Sequence, residues 1–182
     1  MSTQPLMNYA RAAPNKWTFT IEPIAQLLRN YIPSGGLGWA DPFSGMNSPA
    51  QYTNDINMEM PTRHHLLADE FCDMLSTASD VADLEGVIFD QPYSYRQITE
   101  CYTKVGLKAS QLDTSSNFYN RVMNAICDKI KPGGLAISFG WNTNGFGINR
   151  GFHPIEILVV AHGQHHNDTL VVVEKKRIRK LS

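Results

Sequence analysis

The sequence predicts an α/β domain with a mostly parallel sheet that closes on an antiparallel C-terminal hairpin. Three observations lead there. An apolar run, Gly86-Val87-Ile88-Phe89, stops abruptly at Asp90-Gln91-Pro92-Tyr93; continuous runs of this kind are strands buried on both faces, as in parallel sheets. Apolar residues at helical spacing alternate with short strand-like runs along most of the chain, which is the pattern of βα units. Finally, residues 155–161 and 169–173 are β-branched runs separated by the short polar loop 162–168, and strands this close in sequence pair antiparallel.

The 182 residues make one domain of ordinary size, able to bury roughly two-thirds of its unfolded surface. A hydrophobic content of 42% with 18% charged residues describes a soluble globular chain. The formal net charge of −1 gives no global attraction to nucleic acid, so any such binding must rest on local patches. Cys72, Cys101 and Cys127 lie far apart without a Cys-x-x-Cys pair, which suggests reduced thiols rather than a disulfide framework or a zinc site. No apolar run approaches membrane-spanning length and residues 1–15 lack an apolar signal core, so the expected location is the cytoplasm.

In order, residues 1–16 read as a flexible leader. Trp17-Thr18-Phe19-Thr20 precede a helix on which Ile24, Leu27, Leu28 and Tyr31 recur at helical spacing, with Glu22-Pro23 in its first turn and Pro33-Ser34-Gly35-Gly36 ending it. A short strand around 37–40 runs into Asp41-Pro42-Phe43-Ser44-Gly45, a small turn that lets a ligand approach the backbone. Tyr52-Thr53-Asn54-Asp55-Ile56 reads as a strand ending in an acid. A carboxylate there accepts from ribose hydroxyls in nucleotide-binding sheets, or simply caps a turn. A third strand is expected through Leu67 with Asp69 at its end, before a helix over 70–77; the alternative for Asp69 is a helix N-cap. After Tyr93, residues 94–102 open a helix or loop, and 104–116 are a polar connection or a lid. A helix over 118–130, with Val122, Ile126 and Ile130 on one stripe, is closed by Lys131-Pro132-Gly133-Gly134. A fifth strand over 135–139 ends at Gly140-Trp141-Asn142. The segment 175–182 is a basic tail, a phosphate contact or a solvated terminus.

In open α/β sheets ligands sit just beyond the carboxyl ends of the strands, which makes Asp90 to Tyr93 the first place to look for chemistry. An ionised Asp90 and the backbone carbonyl of Gln91 are two acceptors, suited to a flat group with two N–H donors such as the exocyclic amine of a nucleobase. Tyr93 adds an aromatic face for a flipped base, a contact worth roughly 1–3 kcal/mol, and Pro92 stiffens the loop. His162, His165 and His166 with Asp168 are metal-ligand residue types, but no ligand spacing is recognisable and no metal is expected.

Asp90-Gln91-Pro92-Tyr93 resembles the Asp-Pro-Pro-Tyr motif of the amino-group DNA methyltransferases, and Asp41-Pro42-Phe43-Ser44-Gly45 is similar to their Asp-Pro-Phe-x-Gly motif. Gln91 stands where the first proline is usual. In that family the residue contributes its backbone carbonyl, so the change bears on loop rigidity rather than on an acceptor. The stretches Ser94-x-Arg96-Gln97, Gly140-Trp141-Asn142, His162-Gly163 and Asn167-Asp168-Thr169 resemble small adenine-specific methylases of phages and prophages. The resemblance implies a class I methyltransferase (Rossmann-like) sheet over residues 17–174, S-adenosylmethionine as cofactor and adenine in DNA as substrate.

It further implies roles residue by residue. Phe19, Thr20 and Asp41 to Gly45 lie around the methionine part, Asp55 on ribose with Ile56 beside it, and Asp69 on the cofactor's adenine. Asp90, Gln91, Pro92 and Tyr93 are the catalytic set. In the class I sheet the sixth strand is parallel and the seventh reversed, so the loops 140–150 and 162–168 lie at the edge of Asp41 and Asp90. Trp141, Asn142, Asn144, Arg150 and His162 are therefore candidate substrate contacts, with Ser94 and Arg96; a plain linker is the alternative for these loops. Site-reading enzymes of this class usually carry a target-recognition domain, and no segment is long enough for one. Either specificity is relaxed, or a homodimer or a separate specificity subunit supplies it. Two other readings stay open: a methyltransferase of RNA or a protein amide, and a catalytically silent S-adenosylmethionine-binding subunit.

Overall fold

The computed structural model describes residues 4–93, 95–104, 106, 116–163 and 166–178. Ser94, expected near the substrate, and His165 of the histidine loop lie outside the described residues.

The apolar run becomes the middle of the sheet. Strand β4 (Leu84–Phe89) is flanked by β2 (Trp39–Asp41) and β5 (Ile130–Gly140), and the sheet order is β1-β6-β7-β5-β4-β2-β3. Here β1 is Leu6–Arg11, β3 Tyr52–Thr53, β6 Phe152–Ala161 and β7 Thr169–Lys176. The β2, β3, β4 and β5 pairings are parallel, as is β1 with β6, whereas β7 runs antiparallel to both β5 and β6. The expected mostly parallel sheet with an antiparallel C-terminal hairpin is therefore present.

Side-chain alternation along β4 sorts the helices. Ile88 points to the face covered by α1 (Glu22–Tyr31), where Ile24, Leu27 and Leu28 pack with Ile137, Phe139 and Val171. Val87 and Phe89 point to the opposite face, against α2 (Ala68–Thr77) and α4 (Ser116–Cys127), through Phe71, Leu75, Val122 and Ile126. The period of two that places a strand's neighbours on opposite faces accounts for both cores. Gly86 lies where β4 crowds its neighbours: a Cβ there would meet the Trp39 ring at 2.7 Å and the Leu135 carbonyl at 2.8 Å.

From β2 the chain steps outward to β3, and from β4 it steps the other way to β5. The strand order thus reverses between β2 and β4, and at such a switch point the loops part to leave a crevice beyond the carboxyl ends.

Several expectations are corrected. Residues 6–11, read within a loosely held leader, form β1. This strand lies at the sheet edge with most side chains exposed, so it has no apolar alternation to betray it and is held by its ladder to β6. No third strand passes through Leu67. Residue 64 makes only an isolated bridge with Asn54, and α2 begins at Ala68, with Glu70 Oε2 accepting the Leu67 N–H at 3.2 Å. Asp69 therefore sits in the first turn of a helix, not at a strand end. Ile130 belongs to β5 rather than to the preceding helix, because Ile130 pairs with Leu84 before the Pro132-Gly133 irregularity and the ladder resumes at Leu135; Gly133 there has φ +82°. Strand β7 continues through Lys176, inside the segment read as a basic tail. Lys176 Nζ donates to the carbonyls of Cys127 at 2.6 Å and Ile130 at 2.7 Å, which removes it from solvent-facing phosphate contact. Residues 95–104 form helix α3 (Tyr95–Lys104). No helix among the described residues is long and apolar enough to cross a membrane.

Candidate functional site

A cavity of about 290 Å³ opens at the switch point. Of the residues singled out in the sequence, Pro42, Phe43, Asp55, Ile56, Asp90, Gln91, Pro92 and Tyr93 line it. The two motifs and the acid after β3 thus converge on one space although up to about fifty residues separate them.

Asp41 lies beneath this wall rather than on it. It is fully buried; its carboxylate accepts the Phe43 N–H at 3.0 Å and the Ser48 hydroxyl at 2.6 Å, so it shapes the turn that presents Pro42 and Phe43. Burial pushes its pKa up to about 7, and the nearby Asp90 and Asp55 charges push the same way against those two hydrogen bonds. Asp55 joins the turns after β2 and β3: Oδ2 accepts the Gly45 N–H at 3.0 Å and Oδ1 the Asn57 N–H at 2.8 Å. Ser44 is also committed to this joint, with its hydroxyl on the Asn54 carbonyl at 2.9 Å.

At the end of β4, the Tyr93 hydroxyl donates to Asp90, and Thr18 supplies a second side-chain hydrogen bond. Burial raises the Asp90 pKa from its ordinary value, while both bonds oppose the rise. Tyr93 is pushed well above the usual phenol range by burial and by the Asp90 charge. The loop is braced from two sides: the Tyr93 N–H donates to Gln97 Oε1 at 2.7 Å, and the Tyr119 hydroxyl to the Pro92 carbonyl at 2.7 Å. The rigidity expected from a first proline is thus supplied by α3 and α4.

The remaining candidates are placed elsewhere. Phe19 packs tilted against Phe139, ring centroids 5.4 Å apart, and borders a second cavity of about 550 Å³ with Leu28 and Ala50; the Thr20 hydroxyl closes its own turn on the Trp17 carbonyl. Asp69 pairs with Arg121 at 3.3 Å, and the cavity wall in this segment is Leu66, Leu67 and Ala68. Asp69 is therefore not part of the cavity wall. Arg96 pairs with Glu100 on the exposed side of α3. Trp141, half-exposed, leans on Tyr93 with ring centroids 5.7 Å apart. Asn142 Oδ1 accepts the Asn144 N–H at 3.0 Å, a local turn. Arg150, half-buried, is engaged by Asn124 Oδ1 at 2.7 Å, Asn120 Oδ1 at 2.7 Å and the Phe146 carbonyl at 2.9 Å. His162 ties the hairpin to the end of β1, with Nδ1 3.0 Å from the Ala12 carbonyl and Nε2 2.9 Å from Thr169 Oγ1. Among the described residues no group of three or more His, Cys, Asp or Glu side chains is arranged to hold a metal.

Three residues that sequence reading passed over matter here. Thr18 reaches Asp90. Tyr119 reaches the Pro92 carbonyl. Asn54, fully buried, donates from Nδ2 to the Pro42 carbonyl at 3.1 Å and the Leu66 carbonyl at 3.0 Å, while Oδ1 accepts the Leu66 N–H at 2.8 Å. A polar residue directly before the acid of a strand end was the available signal for Asn54; nothing local marks the other two.

In architecture the chain resembles TrmN from Thermus thermophilus, with a TM-score of 0.52 at 18% identity over 86% of this chain and 49% of that one. The chain spans about half the length of that protein, and the likeness is one of fold alone, a Rossmann-like α/β sheet. No protein-family model and no curated protein matches the sequence.

Proposed function

We propose that the chain is an S-adenosylmethionine-dependent methyltransferase acting on the exocyclic amine of adenine in DNA, with short or relaxed sequence preference. The observation that carries this reading is the sharing of one cavity by Asp90, Gln91, Pro92 and Tyr93 with Pro42, Phe43, Asp55 and Ile56 at the switch point of a class I sheet.

The residues present suit the cofactor. Asp55 is a carboxylate for ribose hydroxyls; Ile56, Leu66 and Ala68 give apolar surface for a purine; and the turn at Pro42-Phe43 offers backbone to the amino-acid part. When bound, S-adenosylmethionine supplies an electrophilic methyl group on a sulfonium. What the chain itself does is position and discharge the target nitrogen. Asp90 accepts one N–H of the amine, replacing the Tyr93 hydroxyl that occupies it in the free site, and the Gln91 carbonyl accepts the other. Tyr93 offers its ring to the flipped base. The amine nitrogen would give up one proton as it takes the methyl group, and Asp90, with its pKa raised by burial, would receive that proton and pass it to solvent.

The test is nucleoside mass spectrometry on cells lacking their own DNA methylation. Cells expressing the chain should contain N6-methyladenine in DNA, and Asp90→Ala should abolish it while S-adenosylmethionine binding persists. Modified adenosine confined to RNA moves the substrate to RNA, and cofactor binding without any modified base moves the reading to a protein amide or to the silent subunit. Normal turnover by Asp90→Ala refutes the mechanism.

A further inference from the structure

The formal net charge of −1 leaves any DNA binding to a local patch, and the topology sorts the basic residues between the two edges of the sheet. β7 runs antiparallel to β5 with Lys175 opposite Leu135, so the exposed Lys175 and Arg177 lie at the edge away from Asp90. β1 runs parallel to β6, and β6 antiparallel to β7, so Arg11 at the carboxyl end of β1 lies at the edge where β4 ends in Asp90. From Arg11 the chain crosses that edge to Thr18, which lines the cavity.

The crossing is held at both ends. The Ala12 N–H donates to the Ala161 carbonyl at 3.1 Å, and His162 Nδ1 lies 3.0 Å from the Ala12 carbonyl. At the far end the Trp17 N–H donates to Asn15 Oδ1 at 3.0 Å, and the Trp17 carbonyl accepts the Thr20 hydroxyl at 2.8 Å. Two cations stand on this crossing. Lys16 Nζ sits 4.7 Å from the centroid of the Trp17 ring, and Arg11 Nε donates to the Tyr9 hydroxyl at 3.1 Å. Both residues are exposed, and neither forms an ion pair among the described residues. In the described parts of segments 12–17, 140–151 and 161–168 the single acid is Asp168, whose Oδ1 accepts the His162 N–H at 3.2 Å.

Resting on the methyl-transfer reading above, we propose that residues 11–17 form the DNA-docking rim of the cavity, with Arg11 and Lys16 on backbone phosphates of the duplex that presents the target base. β1 lies four steps from β4 in the sheet, about 19 Å at roughly 4.8 Å per strand and so about half a helical turn of duplex. β5, whose end carries the half-exposed Trp141, stands between them. Phosphate contacts fix register and orientation without reading sequence, which suits a chain of short or relaxed preference.

Fluorescence anisotropy of a labelled DNA duplex of mixed sequence, titrated with the purified full chain at several salt concentrations, tests this. Each phosphate contact contributes about 0.9 to the slope of log K against log[salt], so Arg11→Gln with Lys16→Gln should make it shallower by about 1.8. In methyl incorporation the same pair should raise KM for DNA by about tenfold or more, while kcat at saturating DNA, the cofactor Kd and Tm stay level. Arg11→Lys with Lys16→Arg should keep the wild-type slope. So should Lys175→Gln with Arg177→Gln, which removes the same charge from the opposite edge. An unchanged slope in the Arg11 and Lys16 glutamine pair overturns the inference, as does an equal loss in both glutamine pairs or a loss in the charge-keeping pair. A wild type that methylates DNA with a slope indifferent to Arg11 and Lys16 overturns the inference alone. A wild type that binds DNA through them and transfers no methyl group overturns the reading beneath it alone, and one that binds no DNA overturns both.

Discussion

Replacing Asp41 by asparagine should stabilise the protein at alkaline pH and leave it unchanged in acid. Asp41 is fully buried, and its carboxyl is raised to about 7 from an ordinary 3.8. The folded state therefore holds the Asp41 proton more tightly than the unfolded chain does. Below about pH 4 both states are protonated and no penalty exists. As pH rises from about 4 to 7 the unfolded state loses its proton first, so stability falls through that window and stays reduced above it. At about 1.36 kcal/mol per pH unit, the gap between 3.8 and about 7 corresponds to about 4 kcal/mol. Asparagine is neutral throughout. Its carbonyl still accepts the Phe43 N–H, and its amide donates to Ser48, whose hydroxyl turns to accept. Urea denaturation at several pH values between 4 and 8 should give curves that meet near pH 4 and separate by up to about 4 kcal/mol at pH 8. Glu174, also raised, is present in both proteins and cancels in the difference. Parallel curves, offset equally at every pH, would refute the reasoning.

Other substitutions test the frame around the cavity. Asn54→Ala leaves the Pro42 carbonyl and both backbone polar groups of Leu66 without their partner; denaturant titration should show a loss of about 2–4 kcal/mol. Arg150→Ala should lower Tm through the loss of its contacts to Asn120, Asn124 and Phe146, yet leave the salt dependence of the proposed DNA binding unchanged, since a guanidinium already held by three protein acceptors displaces no counterions; a slope shallower by about one unit would assign it a phosphate contact. Gly86→Ala forces a methyl group against Trp39 and the Leu135 backbone and should cost about 1–3 kcal/mol, read in the same titration.

What the sequence made legible is what each strand announces for itself. The run ending at Phe89, the acid after Thr53 and the Asp41 turn each carry a local pattern, and the parallel sheet brings their ends to one edge. Less legible were segments whose structure depends on a distant neighbour. Leu66-Leu67-Ala68 is an apolar triplet that fits a strand, but Asn54 satisfies Leu66 through its side chain, and a backbone already served that way has no need of a ladder. Arg150 read as a candidate substrate contact because its partners, Asn120 and Asn124, lie on α4 a full turn apart and are invisible from the loop that carries it.

The most consequential miss is β1, because it decides where the following chain goes. A strand parallel to β6 delivers its carboxyl end to the same edge as those of β2 and β4. Residues 12–20 must then cross that edge before α1 can begin. His162 fastens this crossing at the Ala12 carbonyl, and Thr18 lands on Asp90. A leader left loose would give no reason for a threonine there to find the acid at the end of β4. Docked as a strand, it makes the hydroxyl part of the wall, and Asp90 is held from two directions, by a residue three positions ahead in its own loop and by one over seventy positions behind. That arrangement holds the carboxylate in place before any substrate arrives, as its proposed role of accepting an amine N–H and then its proton requires.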